Sequence, residues 1–549
     1  MRRAGADAAA ALVVAFVIVL GSCAAEAPRP AAQPPGEPAP AGAASLTIAR
    51  ARCAAAAFAP RVLRRLTRGE VERSIRDVFP SLGGAWAGVA LGADALSPVG
   101  FANDATALVV DEQTAHELLD TAKDVATVAS DATHLPGILP CAETTPDAAC
   151  AGRFIDTFGP RLYRRPIAAD ERAELADRWA SVTGRAGFAA GIKWTLIAML
   201  ESPAFLYRSE VGDAGGRLTP DELATELSYT YGGSTPSDDL AAKAARGELA
   251  TAEARAAEAL ALLATPAGRE AFLEFFRQWS RYDLVLGQDK AQQGNFTLAT
   301  APLLVEETRR FVAAVALDGN GGVADLLASG TTFLNADLAA FYGYGAGVTD
   351  FAPVARPTGR GVGLLAQASI LAGRSHYDFS SPTLRGLFVF EQLLCRQPAA
   401  RPGGVSAIED APVAMTTRAR YETQHEVGSC AACHRTFEPF GYALEHFDAA
   451  GVYRVNENGN DIDARASVAL DDGTTLAVDG LEELAHKLAD RADVVDCLGG
   501  LLASYVFAGA GGQACLAEDA RAALAGGRMG LRDYFVALTG APSFTTRSP

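Results

Sequence analysis

Nine cysteines behind an apolar leader restrict this chain more than any other feature. Arg2 and Arg3 open the leader, and residues 8–20, AAAALVVAFVIVL, form an apolar run of secretory length, too short to span a bilayer comfortably. Leu20-Gly21-Ser22-Cys23 has the form of a lipobox, which makes residues 1–22 a lipoprotein signal peptide and Cys23 the lipidated residue. An ordinary signal peptide followed by a stray cysteine is the alternative. Residue 24 is Ala rather than Asp, so inner-membrane retention is not indicated. The expectation is an exported lipoprotein attached to a membrane through its N-terminal lipid, facing the periplasm or the cell surface, in the outer membrane. Export places the remaining thiols in an oxidising compartment.

Setting aside Cys23 and the closely spaced Cys430 and Cys433 leaves Cys53, Cys141, Cys150, Cys395, Cys497 and Cys515, an even number that three disulfides would use up. Cys141 and Cys150 flank a short loop-like segment, AETTPDAA. Cys497 and Cys515 bracket a helical stretch and a Gly-rich turn. Cys53 with Cys395 follows by elimination. Free buried thiols are the alternative.

A chain of 549 residues is too long for one core and suggests two to four packed units. Alanine is abundant and β-branched alternation is scarce, so the expected fold class is mainly α, multidomain, with a small turn-and-strand segment (455–478) near the C-terminal third. Residues 23–58 read as a Pro/Ala linker. Residues 61–80 read as a helix with Thr67 as N-cap and Glu70 three positions on, and 415–428 as a short amphipathic helix. Residues 480–507 and 516–540 read as the final helices. A formal charge of −17 argues against nucleic acid as a partner. No GxSxG, HExxH or phosphate-cradling glycine motif is present. Glu306-Glu307 with Arg309 and Arg310 reads as a solvated or ion-paired helix face.

Cys430-Ala-Ala-Cys433-His434 has the spacing of a c-type haem attachment site. Two thiols one helical turn apart can meet both vinyl groups, and His434 can reach the iron as proximal ligand. A Cys430–Cys433 disulfide, a thioredoxin-like pair or half a zinc site are the other readings; the first stays open, while the βαβ setting and further ligands that the last two need are missing. For the sixth iron ligand the chain offers His425, nine residues upstream, as distal ligand or as a hydrogen-bonding partner behind the ligands. His446 and the downstream Met529 are further candidates, and His376 and His486 read as structural or exposed. Asp448, Glu445 and Arg454 could hold the propionates or the His434 imidazole, or form structural ion pairs. Asn456–Asp461 lacks the liganding pattern of a calcium loop and reads as a turn.

Several segments resemble a set of domains of unknown function, catalogued 1587, 1595, 1592, 1588 and 1585, that occur in fixed order in exported proteins of planctomycetes and myxobacteria. LRRLTRGEVERSIRDVF (63–79) is similar to the first and FGPRLYRRPIAADE (158–171) to the second. SPAFLYRSE, LATELSYTYGGSTPSDDL and FLNADLAAFYG are similar to the third. RGVGLLAQASIL, SSPTLRG and CAACHRTFEPFGYALEHFDAAGVYR are similar to the fourth, and DGLEELAHKLA with the Cys497 helix to the fifth. The resemblance implies helical units over 59–135, 150–212, 217–347, 358–457 and 470–545. It also implies the company of cytochrome-c-like modules, and a histidine is common in the family where His425 stands. The chain departs from the family at Glu438-Pro439-Phe440-Gly441, where Asp-Pro-Leu-Gly is usual, and at His446, where Asn is commoner. The expected function is a lipoprotein carrying one covalent haem c, acting in envelope electron transfer with a redox protein partner or as a haem-dependent oxidoreductase. The alternative is a non-haem binding or scaffold lipoprotein with a Cys430–Cys433 disulfide.

Overall fold

The computed structural model describes residues 59–548 apart from 291–295, 346, 400–413, 429, 509–523, 525, 526 and 528. The lipobox with Cys23, the linker, Cys53 and Cys515 therefore lie outside the described residues. Helices dominate the described residues, and the strands form four separate two-stranded antiparallel sheets.

Local chemistry sets the helix starts. Thr67 Oγ1 accepts the Glu70 N–H at 3.2 Å while Glu70 Oε2 accepts the Thr67 N–H at 2.8 Å, so the anticipated capping box opens α1 (Arg68–Val78). The residues before it, read from sequence as part of a helix over 61–80, are not helical. Val62–Arg65 is strand β1, paired with β2 (Tyr207–Glu210). The strand turns Arg64 and Arg65 inward and leaves Leu63 59% exposed, because the buried arginines have carboxylate partners there. Helix α2 (Ala148–Tyr163) packs on α1, and α3 (Ala169–Ala186) and α4 (Phe188–Leu200) pack on α2 and on each other. One apolar core runs from Leu66 to Leu206 and takes in Tyr229, so the first two units share their interior.

A second and larger core takes in Phe101, α5 (Pro220–Gly232) and α6 (Pro266–Ser280), continues through α7 (Thr300–Val312), and ends at Phe544. It also contains α8 (Pro382–Phe388), which precedes α9 (Thr417–His425), α10 (Ala431–Tyr442), α11 (Gly480–Ala489) and α12 (Ala492–Val506). The stretch read as one helix over 480–507 is thus two, broken at Asp490 and Arg491. The other sheets are β3 (Thr331–Leu334) with β4 (Ala352–Ala355), β5 (Asn456–Glu457) with β6 (Asn460–Asp461), and β7 (Arg465–Ala469) with β8 (Thr475–Asp479). The Asn456–Asp461 turn is the β5–β6 hairpin.

The two bodies are joined by buried charge. Arg64 meets Glu210 at 2.6 Å, Arg208 meets Glu226 at 2.7 Å and Glu70 at 3.2 Å, and Arg547 meets Glu210 at 2.8 Å. All six side chains are buried, and three arginines balance three glutamates. Burial pushes the Glu210 carboxyl up, but Arg64, Arg547 and Arg208 outweigh it and hold it well below the ordinary carboxylate range. Arg547 belongs to the last described turn of chain. There the Ser548 N–H donates to the Ala59 carbonyl at 2.7 Å, and Arg61 Nε reaches Ser548 O at 3.2 Å across 487 residues.

Cys141 and Cys150 form the anticipated disulfide. The other described bridge is Cys395–Cys497, which replaces both the Cys497–Cys515 and the Cys53–Cys395 pairings. Proximity in sequence favoured Cys515, but the Val389–Leu393 turn docks on α12 and brings Cys395 to Cys497, whose Cα atoms lie 5.4 Å apart. Two disulfides indicate an extracytoplasmic protein, and no helix among the described residues is long and apolar enough to cross a membrane. Cys395–Cys497 closes a 102-residue separation and Cys141–Cys150 only 9. Cys395→Ser/Cys497→Ser is therefore expected to cost about 2–4 kcal/mol, more than Cys141→Ser/Cys150→Ser, by comparison of urea midpoints.

Candidate functional site

The CxxCH segment enters α10 from a short turn. Cys430 is the N-cap residue of that helix, and Cys433 and His434 lie on its first turn. Helix α9, capped by Thr416 Oγ1 on the Ala419 N–H at 3.2 Å, ends at His425 and lays that histidine beside His434, ring centroids 4.0 Å apart. Helices α8 and α10 approach closely enough that two glycines are required. A Cβ at Gly386 would sit 2.2 Å from Phe437 O, and one at Gly441 would sit 1.9 Å from Pro382 O.

Glu438 organises the site. It is one helical turn after His434, on the same face of α10, and 1% exposed. His425 Nδ1 donates to its Oε1 at 2.5 Å and His434 Nδ1 at 2.7 Å; Thr383 Oγ1 donates to the same oxygen, and Tyr442 OH donates to Oε2 at 3.0 Å. Burial raises the Glu438 carboxyl, but the hydrogen bonds from His425 and His434 outweigh it and hold it at about 2. An ionised carboxylate only accepts, so both imidazoles carry a proton on Nδ1, and Nε2 is the nitrogen left to bind a metal. His434 is 24% exposed at its side chain and can present that nitrogen to a ligand; His425 is 3% exposed.

The sequence pointed to both histidines and to the two cysteines, and the structure brings His425 and His434 together. It did not single out Glu438, although the i, i+4 spacing from His434 within a helix was the available signal. His425, His434 and Glu438 also satisfy the spacing of a metal cluster, with ligand atoms all within 4.8 Å. The Glu438 oxygens, however, already accept from four groups, which makes this carboxylate a holder of imidazoles.

The sulfurs differ. Cys433 is a free thiol of intermediate burial. Cys430 is disulfide-bonded, and not to Cys433, which removes the Cys430–Cys433 bridge. Its partner lies outside the described residues.

Other candidates have structural roles. Glu445 accepts from Ser380 Oγ at 2.8 Å and pairs with Arg454 at 3.4 Å, and Asp448 Oδ1 caps the Ala450 and Val452 N–H groups at 2.9 Å. None of Glu445, Asp448 and Arg454 holds the His434 imidazole. His446 Nδ1 bonds to Arg454 O at 3.0 Å, and Met529 packs on the large core. Of the acidic pair on α7, Glu306 meets Arg310 at 2.7 Å as a helix-face pair should. Glu307 instead points into the core, where Tyr342 OH donates to it at 2.5 Å and Arg356 at 3.1 Å.

His376 lies behind α9, its Nε2 3.2 Å from Tyr421 OH. Burial, then Lys290 and Arg420, push its pKa down to about 4. The unfolded chain binds a proton there below about 6.5, so this group's stabilising contribution is present above that pH and is lost as pH falls toward 4. His376→Gln is expected to remove on the order of 1–2 kcal/mol of acid destabilisation in that window, read from urea midpoints between pH 4 and 7.

Comparison with family models gives four matches in chain order. PSD3 (DUF1587) covers residues 64–130, PSD5 (DUF1595) 150–210, PSD4 (DUF1592) 218–344 and PSCyt3 (DUF1588) 361–457. Each is described as a protein of unknown function. The fifth unit read from sequence, 470–545, falls outside these four. No curated protein and no solved structure matches the chain.

Proposed function

Because the chain belongs to the planctomycete multidomain family in which DUF1587, DUF1595, DUF1592 and DUF1588 units follow in series, we propose that its DUF1588 unit is a cytochrome-like domain binding one c-type haem for electron transfer in the cell envelope. The observation that carries this reading is the CxxCH turn at the start of α10, with His434 fixed by Glu438 so that Nε2 is free to bind iron. The name of the matched unit, PSCyt3, agrees with it.

The residues fit the group on one condition. Cys433 offers a thiol and His434 the axial nitrogen. Cys430 would first have to be reduced to its thiol by a dithiol donor, which takes up the disulfide in exchange, since a thioether forms by adding a thiol S–H across a vinyl group and one sulfur cannot hold both bonds. His425 fits as the partner that shares Glu438 rather than as the sixth ligand. The two rings lie 4.0 Å apart, which would leave no room for a porphyrin between them. When bound, haem would supply a one-electron couple; His434 would hold its iron, and Glu438 would keep that imidazole oriented and electron-rich. An N-terminal lipid and a redox protein partner in the envelope complete the proposal.

The test is a pyridine haemochrome spectrum of the full chain exported from a host with cytochrome c maturation, beside Cys430→Ala/Cys433→Ala. About one covalent haem per wild-type chain and none in the variant is the expected result. A folded wild type without haem would favour the second reading, a non-haem binding or scaffold lipoprotein, for which the Cys430 disulfide speaks.

A further inference from the structure

Where the two helical bodies meet, β1, the start of α1, α5 and the end of α6 enclose a cavity of about 720 Å³, a volume typical of small-molecule sites. Its wall is rich in arginine. Four acidic side chains also line it, and each already has an arginine: Glu70 meets Arg208 at 3.2 Å, Asp94 meets Arg65 at 2.7 Å, and Glu274 and Asp283 both meet Arg277. That leaves Arg68, Arg73 and Arg281, all on the wall, without a carboxylate among the described residues.

Arg73 is held in place. Its Nε donates to Gly233 O at 2.6 Å, and neither terminal nitrogen has an acceptor among the described residues. The guanidinium lies against two glycines of the wall. A Cβ at Gly69 would come within 3.0 Å of its Nη1, and one at Gly233, where φ is +71°, within 3.0 Å of its Nε. The first turn of α1 contributes as well, because Thr67, Arg68, Gly69 and Glu70 all line the cavity at the positive end of that helix. Deeper in the wall, Arg208 is 2% exposed and its Nε has no partner, and Asn103 Oδ1 is buried without one. The protein as a whole carries −17, so this positive wall runs against the general charge.

We propose that this cavity binds a small organic or inorganic polyanion, a molecule with at least two carboxylate or phosphate groups, gripped by Arg68, Arg73 and Arg281. Planar guanidinium groups match the paired oxygens of both anion types. Six arginines face four carboxylates on this wall, and a neutral sugar would leave that surplus of two positive charges uncompensated. The proposal does not depend on haem, and the cavity residues are separate from Cys430, Cys433 and His434.

The test is isothermal titration of the full chain with citrate, inorganic pyrophosphate and, as a neutral control, sucrose. Arg68→Gln/Arg281→Gln removes two exposed charges, and Arg73→Gln removes the pinned one. Saturable one-site binding of citrate or pyrophosphate is expected, weakened at least about tenfold in each variant while the unliganded melting temperature stays within a few degrees. A preference for citrate would mark a carboxylate site, and a preference for pyrophosphate a phosphate site. If neither anion binds, if sucrose binds as well as they do, or if both variants bind like wild type, the proposal is overturned. Should Arg73→Gln misfold, the Arg68/Arg281 variant alone decides.

Discussion

Glu438→Ala is expected to lower the local stability of α10 by roughly 3–5 kcal/mol, the range found when one partner of a buried charged network is removed. Its carboxylate accepts from Thr383, His425, His434 and Tyr442. Alanine would strand all four donors, three of them on buried residues that water reaches poorly. Glu438→Gln keeps one carbonyl oxygen and turns its NH2 toward groups that are themselves donors, so a smaller loss is expected. Because the loss is local to one helix, the measurement is amide hydrogen exchange over Ala431–Tyr442. Protection that falls by less than about 1 kcal/mol in Glu438→Ala would show that the imidazoles are held by packing alone.

Glu226→Ala should be as damaging, but at the other junction. Glu226 takes Arg208 at 2.7 Å and lies 3.4 Å from Arg64 and 3.9 Å from Arg547. Removing it leaves three buried arginines against two glutamates, an uncompensated charge expected to cost roughly 3–5 kcal/mol. The loss should respond little to added salt, since buried pairs are poorly screened. Arg208→Met/Glu226→Leu should recover much of it, because removing both charges together leaves the rest of the cluster balanced. Urea midpoints of wild type, Arg208→Met, Glu226→Leu and the double variant form the cycle. A double variant no more stable than the singles would mean that packing, rather than charge, is what matters there.

The helical class was legible because it rests on local signals. Thr67 and Glu70 open α1 as their spacing implies, and the CxxCH turn opens α10. Features that depend on distant partners were not legible. Val62–Arg65 is a strand because Arg64 finds Glu210, 146 residues away. Cys395 joins Cys497 because the chain folds the Val389–Leu393 turn onto α12, which spacing between cysteines cannot reveal. The same holds for the site. His425, Cys433 and His434 stand in a recognisable run, while Glu438 stayed hidden because its role depends on His425, Thr383 and Tyr442 meeting it in the fold. The arginine-lined cavity draws its wall from residues 64–505, so no motif announces it.

The joining of Ala59 with Arg547 and Ser548 has a consequence for how the molecule is completed. A chain delivered N-terminus first presents Arg64, Arg208 and the three glutamates long before Arg547 arrives, 337 residues after Glu210. Until then the cluster holds a surplus negative charge, and β1 and β2 close without their last partner. Closing so long a loop is slow compared with forming local helices. Arg547 and Ser548 therefore act as a latch on the segment from Ala59 to Arg64. A chain cut short before Arg547 would keep its helices and fail at its N-terminal body, where a protease would find it.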